Sequence, residues 1–216
     1  MRQFLQFVKV AALGLTAAAL TGALAAPAYA APEDNPRDII ESAAQQMLKD
    51  LEANRVEYRK NPAKIEALVD KVLLPHFDVD EAARQVLGRH VKGATPEQIQ
   101  RFTKALYQSL VETYATALLD FTADKLQIKP FRGDPKADRA TVQTSVKRSD
   151  GTRVAVDYSM RKTPQGWKAW DVKVEGISYV KNFRDDYGPA IDQKGLEAFI
   201  RELETQGVRK AAAASR

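Results

Sequence analysis

Apolar positions alternate in the second half of the chain and recur at helical spacing in the first. Between Gly166 and Val174, Trp170, Val172 and Val174 fall on one face of an extended segment, with Lys168 before them. Trp167, Ala169, Asp171 and Lys173 fall on the other face. Gly176 then interrupts the alternation. Beyond it Ile177, Val180, Phe183 and Tyr187 are spaced by three, three and four residues, which is one side of a helix. A strand with an apolar face thus turns within one glycine into a helix with an apolar face. The two faces must close on a shared interior, filled either by side chains or by a ligand.

The rest of the chain supplies the other walls. Ile40, Ala44, Met47, Leu51 and Tyr58 keep a helical period over 37–59, with Ala43 and Leu48 beside them. Asn61-Pro62 stops that helix and starts a second, because proline is preorganised for the first helical position. Ile65, Leu68, Val69, Val72 and Leu73 form its apolar side, and Leu74-Pro75 ends it. Asp78 reads as an N-cap, with Glu81 completing a capping box. A short helix over 79–87 then closes at Gly88. Thr95-Pro96-Glu97-Gln98 repeats the start signal. It opens a long helix lined by Ile99, Phe102, Leu106, Leu110, Tyr114, Ala117, Leu118 and Phe121 over about six turns. Strands follow. Leu126 and Ile128 share a face, as do Val142, Thr144 and Val146. Val154, Val156, Tyr158 and Met160 share another. Ser149-Asp150-Gly151 and Thr163-Pro164-Gln165-Gly166 are turns, which predicts an antiparallel meander with the Leu126 strand at its edge. Gly188-Pro189 marks a bend, and Leu196, Phe199, Ile200 and Leu203 predict a last helix before a mobile tail over 208–216. The order predicts an α+β fold: a curved antiparallel sheet of about four strands with helices packed on one face.

Composition narrows the setting. Arg2 and Lys9 precede an uncharged run over 10–26, and Ala28-Tyr29-Ala30 carries small residues where a signal peptidase reads. Residues 1–30 are therefore expected to be a cleaved export signal, with Ala31 as the mature start and 31–207 as a single domain. The chain of 216 residues has no cysteine, so neither disulfides nor thiol chemistry is available. Its formal charge of +5 is spread among interleaved acids and bases, which is poor support for a nucleic-acid partner.

No catalytic constellation is evident. The two histidines, His76 and His90, stand near helix ends, where capping or exposure accounts for them. No zinc-protease, nucleophile-elbow, phosphate-loop or dinucleotide motif occurs. Asp78 and Glu81 are better explained as a cap than as an acid–base pair. What the chain offers instead is apolar surface with aromatic members. Periodicity alone leaves open whether that surface is a packed core or a lined cavity.

Several stretches in order resemble one family. They are Leu73-Leu74-Pro75, Val86-Leu87-Gly88, Ala94-Thr95-Pro96-Glu97-Gln98, Tyr114, Gly166-Trp167, Trp170-Asp171-Val172 and Glu175-Gly176-Ile177-Ser178. Together they resemble the MlaC, or toluene-tolerance, family of periplasmic phospholipid-binding proteins over nearly all of the mature chain. Val91 stands where an aromatic is expected. The resemblance implies a cone like that of nuclear transport factor two, enclosing an apolar cavity. It also implies a carrier in the periplasm of a Gram-negative cell, moving diacyl phospholipid and maintaining outer-membrane lipid asymmetry. The implied partners are an outer-membrane lipoprotein–porin complex and an inner-membrane ABC transporter with an MCE-domain subunit. No cofactor is expected besides the transported lipid.

The residues expected to face the lipid are Leu106, Leu110, Tyr114, Leu118, Val142, Val154, Val156, Tyr158, Trp170, Val172, Val174, Ile177 and Val180. Leu73 and Phe77 are expected to close the mouth. No metal or catalytic residue is expected. Two other readings stay open at this point. One is an isomerase or hydrolase on the same cone, which would need a carboxylate or histidine inside. The other is a ligand-free interaction or chaperone module with a solid core.

Overall fold

The computed structural model describes residues 35–120, 122–134, 137–147 and 151–213. The expected export signal, Phe121 and Ser149-Asp150 of the first expected turn lie outside them. Six helices and five strands are present: α1 Pro36–Lys60, α2 Pro62–Val72, α3 Val79–Leu87, α4 Pro96–Tyr114, α5 Tyr179–Lys194, α6 Leu196–Ala213, and β1 Leu126–Ile128, β2 Arg139–Lys147, β3 Arg153–Thr163, β4 Gly166–Val174, β5 Ile177–Ser178. The strands form one antiparallel sheet in the order β1-β2-β3-β4-β5. The expected meander is there, with β1 at one edge. The fifth strand was not expected. Ile177 and Ser178 pair with Val174 and Lys173, so the helix starts two residues later, at Tyr179. The turn between them carries positive φ at Glu175 and Gly176, which lets the chain reverse in two residues.

The helix starts follow their caps. Thr95 and Gln98 make both bonds of a capping box, with Pro96 in the first turn. Asp78 accepts from the Glu81 amide, but the reciprocal half of the expected box is replaced. The Asp78 amide donates to the Ala169 carbonyl at 2.7 Å, tying α3 to the sheet. The Glu81 carboxylate is thereby free to accept from Arg161 at 2.9 Å and from Gln85. Arg161 also lies 3.3 Å from Asp78, so two carboxylates at the start of α3 hold one strand arginine.

Two departures from simple periodicity shape the interior. The long helix does not run α-helical for its expected length. After Tyr114 it tightens into a 3-10 helix over Ala115–Asp120, which rotates the later side chains relative to the α-helical stripe. The β3–β4 register also slips: Ser159 pairs with Asp171, but Met160 pairs with Ala169. Trp170 is the extra residue of that irregularity. Trp167 and Ala169 therefore share the face of Val172 and Val174, opposite to strict alternation. Trp167 and Ala169 are buried there against α1, with Ile39, Ile40, Val142 and Met160.

Apolar side chains gather in separate clusters. One joins α3, α4, α5 and α6 around Phe102, Tyr187, Phe199 and Leu203. Within it the rings of Phe183, Tyr187 and Phe199 follow one another at centroid distances of 5.5 and 4.8 Å. Another joins α1, α2 and the 3-10 segment around Leu51, Ile65, Leu68, Ala115 and Leu119. Gly188 and Pro189 do not end α5, which runs on to Lys194 with Pro189 inside it. In α6 the helical path is broken at Gly207, whose φ of 71° requires glycine, and the backbone then stays helical to Ala213.

Candidate functional site

Hollow space lies between these clusters. One part, of about 320 Å³, is lined by Val69 of α2 and Leu73 just after it, Val79 and Ala82 of α3, the α4 face from Thr103 to Tyr114, Ala115, Leu118 and Val172. A second part, of about 400 Å³, lies toward the sheet and α5, and adds Val86, Ala117, Trp170, Asp171, Val174, Tyr179, Val180 and Phe183. The two parts share Phe77, Leu106, Leu110, Tyr114, Leu118 and Val172 among their walls. A third, of about 160 Å³, lies under α1 and against the strands.

The walls are nearly free of unpaired polar groups. Thr103 returns its hydroxyl to the Ile99 carbonyl. The Tyr107 hydroxyl donates to Asp70, joining α4 to α2 at the rim. Desolvation and that carboxylate push the Tyr107 phenol well above its ordinary range. Burial likewise raises the Tyr158 phenol, which is engaged with Thr144. The Asp171 carboxylate is buried but committed, accepting from the Val180 amide at 3.1 Å at the start of α5. At the outer edge Tyr114 meets Tyr179 edge to face at 6.3 Å, and both rings are partly exposed. Arg139 sits over Trp170, its guanidinium 5.6 Å from the ring centroid. Among the described residues no cluster of His, Asp or Glu is placed to hold a metal. His90 lies 3.7 Å from Asp192, away from the hollow.

The structure places the sequence-expected residues unevenly. Leu73, Phe77, Leu106, Leu110, Tyr114, Leu118, Val172, Val174, Val180 and Trp170 line the main hollow. Tyr158 lines the space under α1. Four others do not border any of the three spaces. Val142 is packed in the α1–sheet cluster, Val154 is buried, Val156 is half-buried, and Ile177 is 65% exposed on the edge strand. Ile177 departs because it belongs to β5 rather than to the helix. Val142 departs because α1, rather than open space, covers that part of the central strands. Sequence reasoning also missed the contributions of α1, α2 and α3, such as Met47, Val69 and Ala82. The stripes of α1 and α2 were legible, but not that they face a void, and for α3 only the ends were read.

The described residues thus form an α+β domain whose helices and sheet enclose an apolar hollow, the architecture of a hydrophobic-ligand binding protein. The model of the MlaC protein family matches residues 41–205, and the chain belongs to that family. It is 30% identical over 170 residues to a toluene tolerance protein of Pseudomonas putida, covering 78% of this chain and 79% of that one. It is 22% identical over 175 residues to the intermembrane phospholipid transport system binding protein MlaC of Haemophilus influenzae, covering 80% and 82% respectively. The fold is similar to that of a phospholipid-binding protein from Ralstonia solanacearum, solved in complex with a phospholipid. The TM-score is 0.74 at 25% identity, over 84% of this chain and 98% of that one.

Proposed function

We propose that this protein is a periplasmic phospholipid carrier, moving diacyl lipid between the outer and inner membranes as the soluble component of an ABC transport system. The observation that carries the reading is the hollow itself. It lies between two side-chain clusters, and its walls are aliphatic and aromatic apart from Thr103 and Asp171, whose polar groups bond within the protein. The phospholipid complex of the Ralstonia relative and the transport name of the Haemophilus relative support the same ligand class.

The physical need for such a carrier is large. Each methylene moved from hydrocarbon into water costs about 0.8 kcal/mol, so a free diacyl lipid crosses an aqueous gap very slowly. Transfer from a bilayer to a dry apolar hollow exchanges one hydrocarbon surrounding for another. Loading and unloading then need only a small difference in affinity. The polar groups of the wall are already hydrogen-bonded to the protein, which suits tails rather than a reacting substrate. Chemistry on the lipid is not part of this reading. The partners it implies are an inner-membrane transporter and an outer-membrane complex, reached after export.

Native mass spectrometry of protein isolated from periplasm without detergent tests the reading. Bound phospholipid is the expected result. A bare polypeptide that takes up no lipid from vesicles would return the protein to the ligand-free module considered above.

A further inference from the structure

We propose that the space under α1 is a measuring chamber for the end of one acyl chain and sets the chain length the protein prefers. This rests on the phospholipid reading and deepens it. The chamber, of about 160 Å³, is bordered by Ala43, Ala44, Met47 and Leu51 of α1 and by Leu126, Val146 and Tyr158 of the strands. Among the described residues, Leu73 and Leu118 are the ones its walls share with those of the main hollow. Leu118 alone borders all three spaces. The two leucines, one on the turn after α2 and one on the 3-10 segment after α4, stand between the spaces and are assigned as the neck.

The chemistry of the chamber selects hydrocarbon. Its single polar wall group, the Tyr158 phenol, is already engaged with Thr144. An apolar space of this size stays dry and holds a molecule about as large as benzene, or roughly six carbons. A leucine-lined neck admits a flexible chain end and excludes a phosphate-bearing headgroup. A tail long enough to pass the neck fills the chamber. One that is too long for it leaves methylenes in water, each worth roughly fourfold in affinity. The main hollow holds the bulk of the lipid, and the chamber reads its last carbons.

Filling the chamber from the α1 side with Ala44→Phe tests this. Wild type and variant are loaded from vesicles holding equal dilauroyl and dipalmitoyl phosphatidylglycerol, and bound lipid is read by native mass spectrometry. The variant is expected to keep its total lipid content and to shift at least tenfold toward the dilauroyl form. Val146→Phe fills the chamber from the strand side and is expected to give the same shift, which separates chamber loss from damage to α1. A folded, lipid-loaded variant with an unchanged ratio overturns the chamber. A wild-type protein that takes up neither lipid overturns the carrier reading instead, and the chamber with it.

Discussion

Leu110 borders both parts of the main hollow and is only partly buried, so a charge can be placed there without entering a packed core. Leu110→Glu is expected to reduce retained lipid by tenfold or more while far-UV circular dichroism stays unchanged, because a carboxylate among hydrocarbon tails is left unpaired. Val156→Glu, the substitution favoured by alternation alone, puts the charge outside the hollow and is expected to leave lipid content intact. Tyr187 gives the opposite kind of prediction. Its ring is fully buried and its hydroxyl has no hydrogen-bond partner. Tyr187→Phe removes an unsatisfied group at constant shape and is expected to stabilise the protein by about 1 kcal/mol. Urea denaturation reads the difference, and a destabilised variant would show that the hydroxyl is satisfied in solution.

Arg101 of α4 reaches two carboxylates of α6, Glu197 at 2.8 Å and Glu204 at 2.8 Å. It holds both acids below their ordinary value of 4.5, mainly through its hydrogen bonds to them. A carboxylate depressed in the folded state adds stability above its unfolded pKa and loses it as pH falls through the folded one. The α4–α6 contact is therefore expected to weaken on acidification below about pH 4.5. Arg101→Gln is expected to flatten that part of the stability–pH curve, and equal acid slopes in both proteins would count against the contact. Elements with strong punctuation were legible in advance. Thr95-Pro96 and Asp78 mark helix starts through hydrogen bonds made by adjacent residues, and the glycine turns mark the meander. The rest depended on distant partners. Nothing local announces that Trp170 is an extra residue in its strand, or that α4 tightens after Tyr114. Those two events decide which side chains reach the hollow. That is why the residues expected along α4 and at Val172 border the hollow, while the walls from α1, α2 and α3 were largely not foreseen.

At the scale of the whole molecule, an emptied hollow leaves apolar walls without contacts. Lipid bound only by the folded state must stabilise it by mass action, about 2.7 kcal/mol at a hundredfold excess over Kd. Delipidated protein is therefore expected to melt about 5–10 °C below the loaded form. Identical melting curves would mean that the hollow collapses when empty. The Tyr107–Asp70 bond joins the two helices that border the first part of the hollow. Tyr107→Phe removes that bond and is expected to speed lipid exchange between vesicles, and an unchanged exchange rate would show that the bond does not hold the rim closed.

The outer strands have a consequence for a protein that must spend part of its cycle empty. β1 is three residues long and β5 two, and they pair with Thr144–Val146 of β2 and Lys173–Val174 of β4. Outer strands this short, with Arg139 and Lys168 placing charges further along the strands they border, blunt the sheet edge as a template for another copy. Exposed hydrocarbon and an open strand edge together would nucleate fibrils; here the first risk is not joined by the second. Crowding among empty copies should then lead to loose, reversible association that lipid dissolves, rather than to ordered β-aggregates.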